Sequence, residues 1–556
     1  MSQSSTPART HLSLYKQSST GPVERSSGKA VTRRRFLHTV AAGGVALAGG
    51  TALAACGGPN SPSGPTDLTL WINPAVPEVA APPANWSLYT AVRQKLNINL
   101  KVVLLPLGND GITKLSAAAA GNSLPDLFQN IDTSLLFQWI NLGLIAPVDS
   151  LLPQMPQRTK DRYSDATLNK LFSLNGKQYA LPEGAGTMGK RAGYFIRKDW
   201  LDKLGLQMPK TLDDLMNVVN AFTYHDPDGD GKNDTYGFGA LIDPTTYQQG
   251  LGNYFAPIYG AFGLPGPWDF STPGKLSLSV RNPAFLQATM AIRQLVSAKV
   301  IDPDWTTLTT SDLRARWKQG KYGVFWEDFA AAIGQSNYAP FDKNFPKAEL
   351  VPLAPPVGPN GQYGVAGFSN ARFSWAVAQS AVNANKGPAI AKLLEWLNSG
   401  EGYYLSGFGQ KGVNYNLDAQ GNITTQGLTT PFTNAAAQPY IQIRNLSLNN
   451  NPAELSARYP SYKTQDGRTI APLQILQEFS SMPWDDETRE GAIQPASNQA
   501  DIDRYIQEGL VQFITGQKAL NSSTWAAYIQ GLDGLNVSTW EAAALKNLKD
   551  KGLFPG

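Results

Sequence analysis

Cysteine is almost absent from this chain of 556 residues, which has a single one, Cys56. One thiol excludes a fold held by disulfides and a zinc site built on cysteine pairs. Histidine is nearly as scarce. Of the three, two stand near the N-terminus at 11 and 38, which leaves almost nothing for a His metal centre or a Ser-His-Asp triad in the body of the chain. Charge is low too: 16% of residues are Asp, Glu, Lys or Arg, and the net +4 is spread evenly. That balance is too small and too even to argue for nucleic acid as a partner. After Cys56, no stretch resembles the ~20 apolar residues of a membrane span. What is plentiful is glycine (52), proline (39) and tryptophan (13), within an ordinary 42% hydrophobic composition. Single cores stop growing near ~250–300 residues, so the length predicts more than one.

The basic residues gather once, at Arg33, Arg34 and Arg35. Phe36 and Leu37 follow, and then "AAGGVALAGGTALAA" runs up to Cys56. A charged segment, a short apolar stretch and small residues have the layout of a bacterial export signal. The arginines followed by Phe-Leu resemble the twin-arginine signal, and "LAAC" (53–56) resembles a lipobox, whose cysteine becomes the lipid-bearing first residue. A membrane anchor is the other reading, but this stretch is too short and too glycine-rich to span. The expectation is that residues 1–55 are an export signal and that Cys56 carries lipid on the extracellular side of the cell membrane. Residues 56–66 would be a flexible Gly/Pro/Ser tether.

Further on, "DLTLWI" (67–72), "INLKVVLL" (98–105) and "LPDLFQ" (124–129) read as strands, separated by stretches of helical spacing. This β-α-β order predicts an α/β fold with a largely parallel sheet. Two helices are expected within 197–225, with Thr211 and Asp214 as a capping box for the second. Another opens with Asn282 as N-cap and Pro283 at the first helical position. Further strands are expected at 322–326 and 372–378.

The stretch "HDPDGDGKNDTYGF" (225–238) gathers four carboxylates into nine residues of a weakly charged chain. Asp226, Asp228 and Asp230 take positions 1, 3 and 5 of an EF-hand-like loop, and Gly231 takes the sharp turn at position 6. Lys232 would offer its carbonyl at position 7, and Asp234 stands at position 9. The bidentate Glu of position 12 is missing, because Gly237 is there. Oxygen ligands at this spacing suit Ca2+; the bland alternative is an acidic surface turn without metal. One copy, far from any catalytic pair, points to a structural ion.

The order of segments along 66–556 is itself informative. "GNSLPDLFQ", "NGKQYALPEGA", "YFIRKDWLDKLGLQMPKTLDDL", "LVSAKVIDPDW", "WKQGKYGVF", "AIAKLLEWL" and "SGFGQKGVNYNL" follow one another. Together, and behind a lipobox, they resemble an extracellular solute-binding lipoprotein of a carbohydrate ABC importer. The similarity is to the large oligosaccharide-binding branch that includes the alginate-binding proteins. The resemblance implies a two-lobe periplasmic-binding-protein-like α/β fold, with discontinuous lobes joined by crossover strands. Lobe 1 would comprise 67–185 and 366–440, and lobe 2 would comprise 186–365, with the calcium loop, and 441–556. The chain would cross near 181–193 and 364–372, and a third time around 435–445. The resembled proteins close a similar shortened loop with an acidic residue just after position 9, where this chain has Thr235.

The implied function is capture of an oligosaccharide in the interlobe cleft, without catalysis, and delivery to an ABC permease by a monomeric protein. Pyranose rings stack on flat aromatics, so aromatics beside turns or carboxylates are the candidates. Trp326, Trp268 and Trp484 fit that description. Tyr415, Glu183 and Arg191 fall near the implied crossovers. Trp200, Trp317 and Trp396, at helical spacing, are expected in the core. Two other functions stay open: a secreted glycoside hydrolase, which needs a carboxylate pair across a cleft, and a scaffold lipoprotein that docks through the acidic loop.

Overall fold

The structure is a computed structural model and describes residues 64–554, except 74–80, 107–108, 131, 164–165, 183–190, 243–249, 368–373, 420–422, 426, 432–442, 444–454, 457–458 and 487. The expected export signal, Cys56, Glu183 and the third expected crossing, apart from Ile443, lie outside the described residues. In chain order the principal strands are β1 (Thr66–Ile72), β2 (Ile98–Leu104), β3 (Leu127–Asn130), β4 (Ala180–Pro182), β5 (Ala192–Arg197) and β6 (Tyr236–Gly239). They continue with β7 (Tyr322–Asp328), β8 (Leu350–Leu353), β9 (Val365–Gly367), β10 (Ser374–Val377) and β11 (Trp484–Asp486).

The first sheet has the order β2-β1-β3-β10-β4. In β1, Leu68, Leu70 and Ile72 are buried while their neighbours are not, the period-2 signature of a half-buried strand. β1 pairs in parallel with β2 and β3. Parallel neighbours need a crossover, which helices Ser87–Leu96 and Asn109–Ala120 supply. β10 then inserts antiparallel between β3 and β4, nearly two hundred residues after β4.

The second sheet has the order β8-β5-β7-β6. Its centre, β7, is buried from Tyr322 to Glu327, as a strand covered on both faces must be. Helix Leu212–Tyr224 flanks it and opens with the expected Thr211–Asp214 capping box. Helix Pro283–Ser297 opens with the Asn282 side chain accepting from the Ala284 N–H at 2.9 Å. Three late helices, Gln499–Ile514, Ser522–Gly531 and Val537–Asp550, join this lobe. Trp540 meets Trp268 edge-to-face at 4.8 Å, and Glu541 accepts the Leu278 N–H at 2.8 Å.

The architecture is α/β with two lobes, each assembled from separated stretches of chain. The chain leaves the first sheet after Pro182, enters the second at Ala192, and rejoins the first at Ser374. On its way back it forms a two-stranded parallel ribbon, β9 with β11, which brings Trp484 beside Val365. Trp200, Trp317 and Trp396 are buried. No helix among the described residues is long and apolar enough to cross a membrane.

Candidate functional site

The strand ends of the second lobe meet the β9–β11 ribbon around a small recess of about 10 Å³. β5 contributes Gly193 and Tyr194, β7 contributes Trp326, and the ribbon contributes Val365 and Trp484. Leu353, Pro355, Pro257, Ala192 and Met482 complete the lining. Trp326 faces its register partner Tyr194 edge-to-face, with centroids 5.8 Å apart. The Trp484 indole N–H donates to the Phe479 carbonyl at 2.7 Å, which fixes that ring and leaves it partly exposed. Two tryptophans chosen from separate parts of the sequence therefore line one recess. That volume is far below the ~300–1,000 Å³ of drug-sized sites, so in this conformation the recess has no room for a sugar ring and marks only where two tryptophans come together.

The carboxylates that follow Trp326 in sequence are already engaged. Glu327 is buried and accepts two bonds from Arg314, both at 2.8 Å. Asp328 forms a two-bond pair with Arg191 and also caps helix Phe329–Ile333 by accepting the Ala330 N–H at 2.9 Å. Arg191 lies over the Phe329 ring and holds β7 to the chain entering β5. Two other candidates lie elsewhere. Trp268 is packed under Trp540, and its main-chain N–H donates to the Glu490 carboxylate at 3.3 Å. Tyr415 stacks on Tyr404 at 5.4 Å in a small cluster with Tyr403 and Phe408, where burial pushes its phenol up to about 12.

The acidic loop closes on itself. The N–H groups of Gly229, Asp230 and Gly231 donate to the Asp226 carboxylate at 2.9, 3.1 and 3.1 Å. Asp226, Gly229 and Gly231 adopt positive φ, and this tight turn folds Asp226, Asp228 and Asp230 together, with carboxylate oxygens within 4.8 Å of one another. Asp228 bears the strain: burial, a hydrogen bond with Asp226 and repulsion from Asp230 and Asp234 raise its pKa. Asp230 is held low by its hydrogen bond to Lys232, whose ammonium is 3.0 Å away. Lys203, from helix Lys198–Leu204, donates to the Asp226 carbonyl at 3.1 Å. Asp234 pairs with Lys321 at 2.7 Å, and the buried Thr235 hydroxyl donates to the Phe222 carbonyl at 2.8 Å. Three carboxylates thus form a hard-oxygen cluster suited to a divalent cation, and the Asp234 and Thr235 side chains are engaged elsewhere.

Residues 80–403 match the family of bacterial extracellular solute-binding proteins. The chain belongs to that family. It is 26% identical over 392 residues to the polygalacturonan/rhamnogalacturonan-binding protein YtcQ of Bacillus subtilis (strain 168), covering 68% of this chain and 74% of YtcQ. It is 28% identical over 284 residues to the fructooligosaccharide ABC transporter substrate-binding protein FusA of Streptococcus pneumoniae serotype 4, covering 48% of this chain but only 49% of FusA. The fold is similar to solved structures of FusA with kestose (TM-score 0.65, 20% identity, 87% of this chain, 99% of that one). An EF-hand mutant of FusA with fructo-nystose gives 0.64 at 19% identity, with the same coverage. The alginate-binding protein AlgQ2 without calcium ion gives 0.62 at 17% identity, over 88% of this chain and 98% of that one.

Within this solute-binding fold the recess holds residues that sequence reasoning missed. Tyr194 sits in an apolar strand and reads as core; only its pairing with Trp326 brings it to the recess. Met482 was within reach, since it stands two residues before Trp484. Leu353, Pro355 and Val365 carry no local signal, because tertiary packing alone assembles them.

Proposed function

We propose that the protein captures an oligosaccharide between its lobes, without transforming it, and hands it to the permease of an ABC importer. The observation that carries this reading is the pair Trp326 and Trp484 lining one recess in a solute-binding fold. Flat aromatic faces suit the C–H faces of pyranose rings, and aromatic burial supplies most of the available affinity. YtcQ and FusA, both named for carbohydrate polymers or oligomers, support the ligand class. A hydrolytic reading has less support: glycosidases need two carboxyl groups ~5–10 Å apart, the pair beside Trp326, Glu327 and Asp328, is tied to arginines, and the relatives are named as binding proteins.

The same reading includes a structural Ca2+ held by Asp226, Asp228 and Asp230, with the Lys232 carbonyl and water completing the shell. A bound cation would neutralise the repulsion that raises the Asp228 pKa. The FusA EF-hand mutant indicates a loop of this kind in a relative. The reading also includes lipid on Cys56, which would tether the protein to the extracellular face of the membrane. A thermal-shift screen of pectic, fructan and alginate oligosaccharides, with chromatography for products, tests the function. A shift without products supports it; products from purified protein replace it with the hydrolase.

A further inference from the structure

The last helix of the second lobe ends by reaching across to the first. Lys551 follows helix Val537–Asp550 directly, and its ammonium donates to the carbonyls of Lys170 at 2.6 Å and Ser173 at 2.7 Å. These carbonyls lie at the end of helix Ala166–Leu171 and just beyond it, in chain that runs on to β4 of the first sheet. The same ammonium stands 5.6 Å from the Phe137 ring centroid, in another first-lobe helix, Thr133–Asn141. Among the described residues no carboxylate pairs with it, and burial lowers its pKa to about 8.

The base of that ammonium is firmly fixed to the second lobe. Glu541 binds the Leu278 N–H and pairs with Arg281 at 3.1 Å, and Asn547 donates to the Ala492 carbonyl at 2.6 Å. Residues 488–492, which follow β11 closely, pack against helix Ala166–Leu171 as well. Both ends of the contact are therefore near the places where the chain passes between lobes: its acceptors shortly before the end of β4, its support shortly after the ribbon.

We infer that Lys551 is a pivot pin: one ammonium, mounted on the second lobe, that holds the first lobe by two main-chain carbonyls beside the hinge. Atoms near a hinge axis move least when lobes rotate, so such a contact persists through closure and restricts rotation to one axis. Separating the lobes at this point would give up two hydrogen bonds from a charged donor, which favours keeping the contact closed.

The inference goes beyond carbohydrate capture and is tested without any sugar, so its failure is distinct from failure of the functional reading. In the full chain carrying Cys56→Ser, spin labels at L142C on the first lobe and K210C on the second, both exposed sites, report the interlobe distance. By double electron–electron resonance, Lys551→Met should broaden the distance distribution at least twofold, with Lys551→Arg restoring most of the narrowness. Lys551→Gln, which keeps donors without charge, should fall between them and carries the comparison if Lys551→Met does not fold. A distribution that stays as narrow as wild type, even with a lowered melting temperature, overturns the pivot and leaves Lys551 a packing residue.

Discussion

Phe479 presses its ring so closely on Gly193 that a Cβ at that glycine would stand 2.4 Å from Cε1 and 2.8 Å from Cδ1. The contact joins the helix Pro472–Ser481 to β5, and Gly193 lines the recess. Gly193→Ala must displace the ring, and overpacking of this kind costs about 1–3 kcal/mol. Denaturant unfolding of G193A should show a loss in that range, with weakened ligand binding because the recess wall moves. Stability equal to wild type would contradict the packing.

Calcium binding to the native state adds RT ln(1 + [L]/Kd) to stability, about 2.7 kcal/mol at a hundredfold excess over Kd. A chelator should therefore lower the melting temperature, and Asp228→Ala with Asp230→Ala should remove the effect. If the chelator shifts wild type and double mutant alike, the ion is elsewhere.

Cys56 should be the first residue of the mature chain and should carry acyl mass. Intact-mass spectrometry of protein extracted from native membranes reads this directly. A mature chain that keeps residues 1–55, or lacks acyl mass, contradicts the lipid anchor.

Burial raises the Asp503 carboxyl to about 6, with the Gln499 amide donating to it at 2.7 Å in partial opposition. The folded value exceeds the unfolded ~3.9, so the native state holds more protons between them, and stability falls as pH rises through that window. Above the folded value the cost is complete, on the order of 1 kcal/mol after allowance for solvent screening. Asp503→Asn keeps the acceptor for Gln499. It should raise the melting temperature at pH 8 and leave it unchanged at pH 3.5; equal melting at both would show that the carboxylate is well solvated.

Local patterns carried most of the fold. The alternation of Leu68, Leu70 and Ile72 marked β1, and the Thr211–Asp214 and Asn282–Pro283 signals marked two helix starts, because each is settled within one turn or strand. The acidic loop was legible for the same reason: its spacing is its geometry. The recess was only half legible. Trp326 stood out at the end of an apolar strand and Trp484 between turn residues and carboxylates, but Trp268 has the same local appearance and lies under Trp540. Whether a tryptophan faces a recess or another helix is decided by contacts hundreds of residues away. The strand Trp268–Asp269, paired antiparallel with Ser277–Leu278, meets the final helix, and no local pattern records that.

The most direct test of carbohydrate capture is calorimetric titration of wild type and Trp326→Ala with the oligosaccharide that gives the largest thermal shift. The wild-type protein should bind one equivalent with no product formed. Trp326→Ala should bind at least tenfold more weakly, a loss of about 1.4 kcal/mol or more, and, because the ring is buried, should also lower the melting temperature, so its affinity is read well below that temperature. Unchanged affinity in Trp326→Ala would move the binding site away from this recess, and turnover of the sugar would make the protein an enzyme.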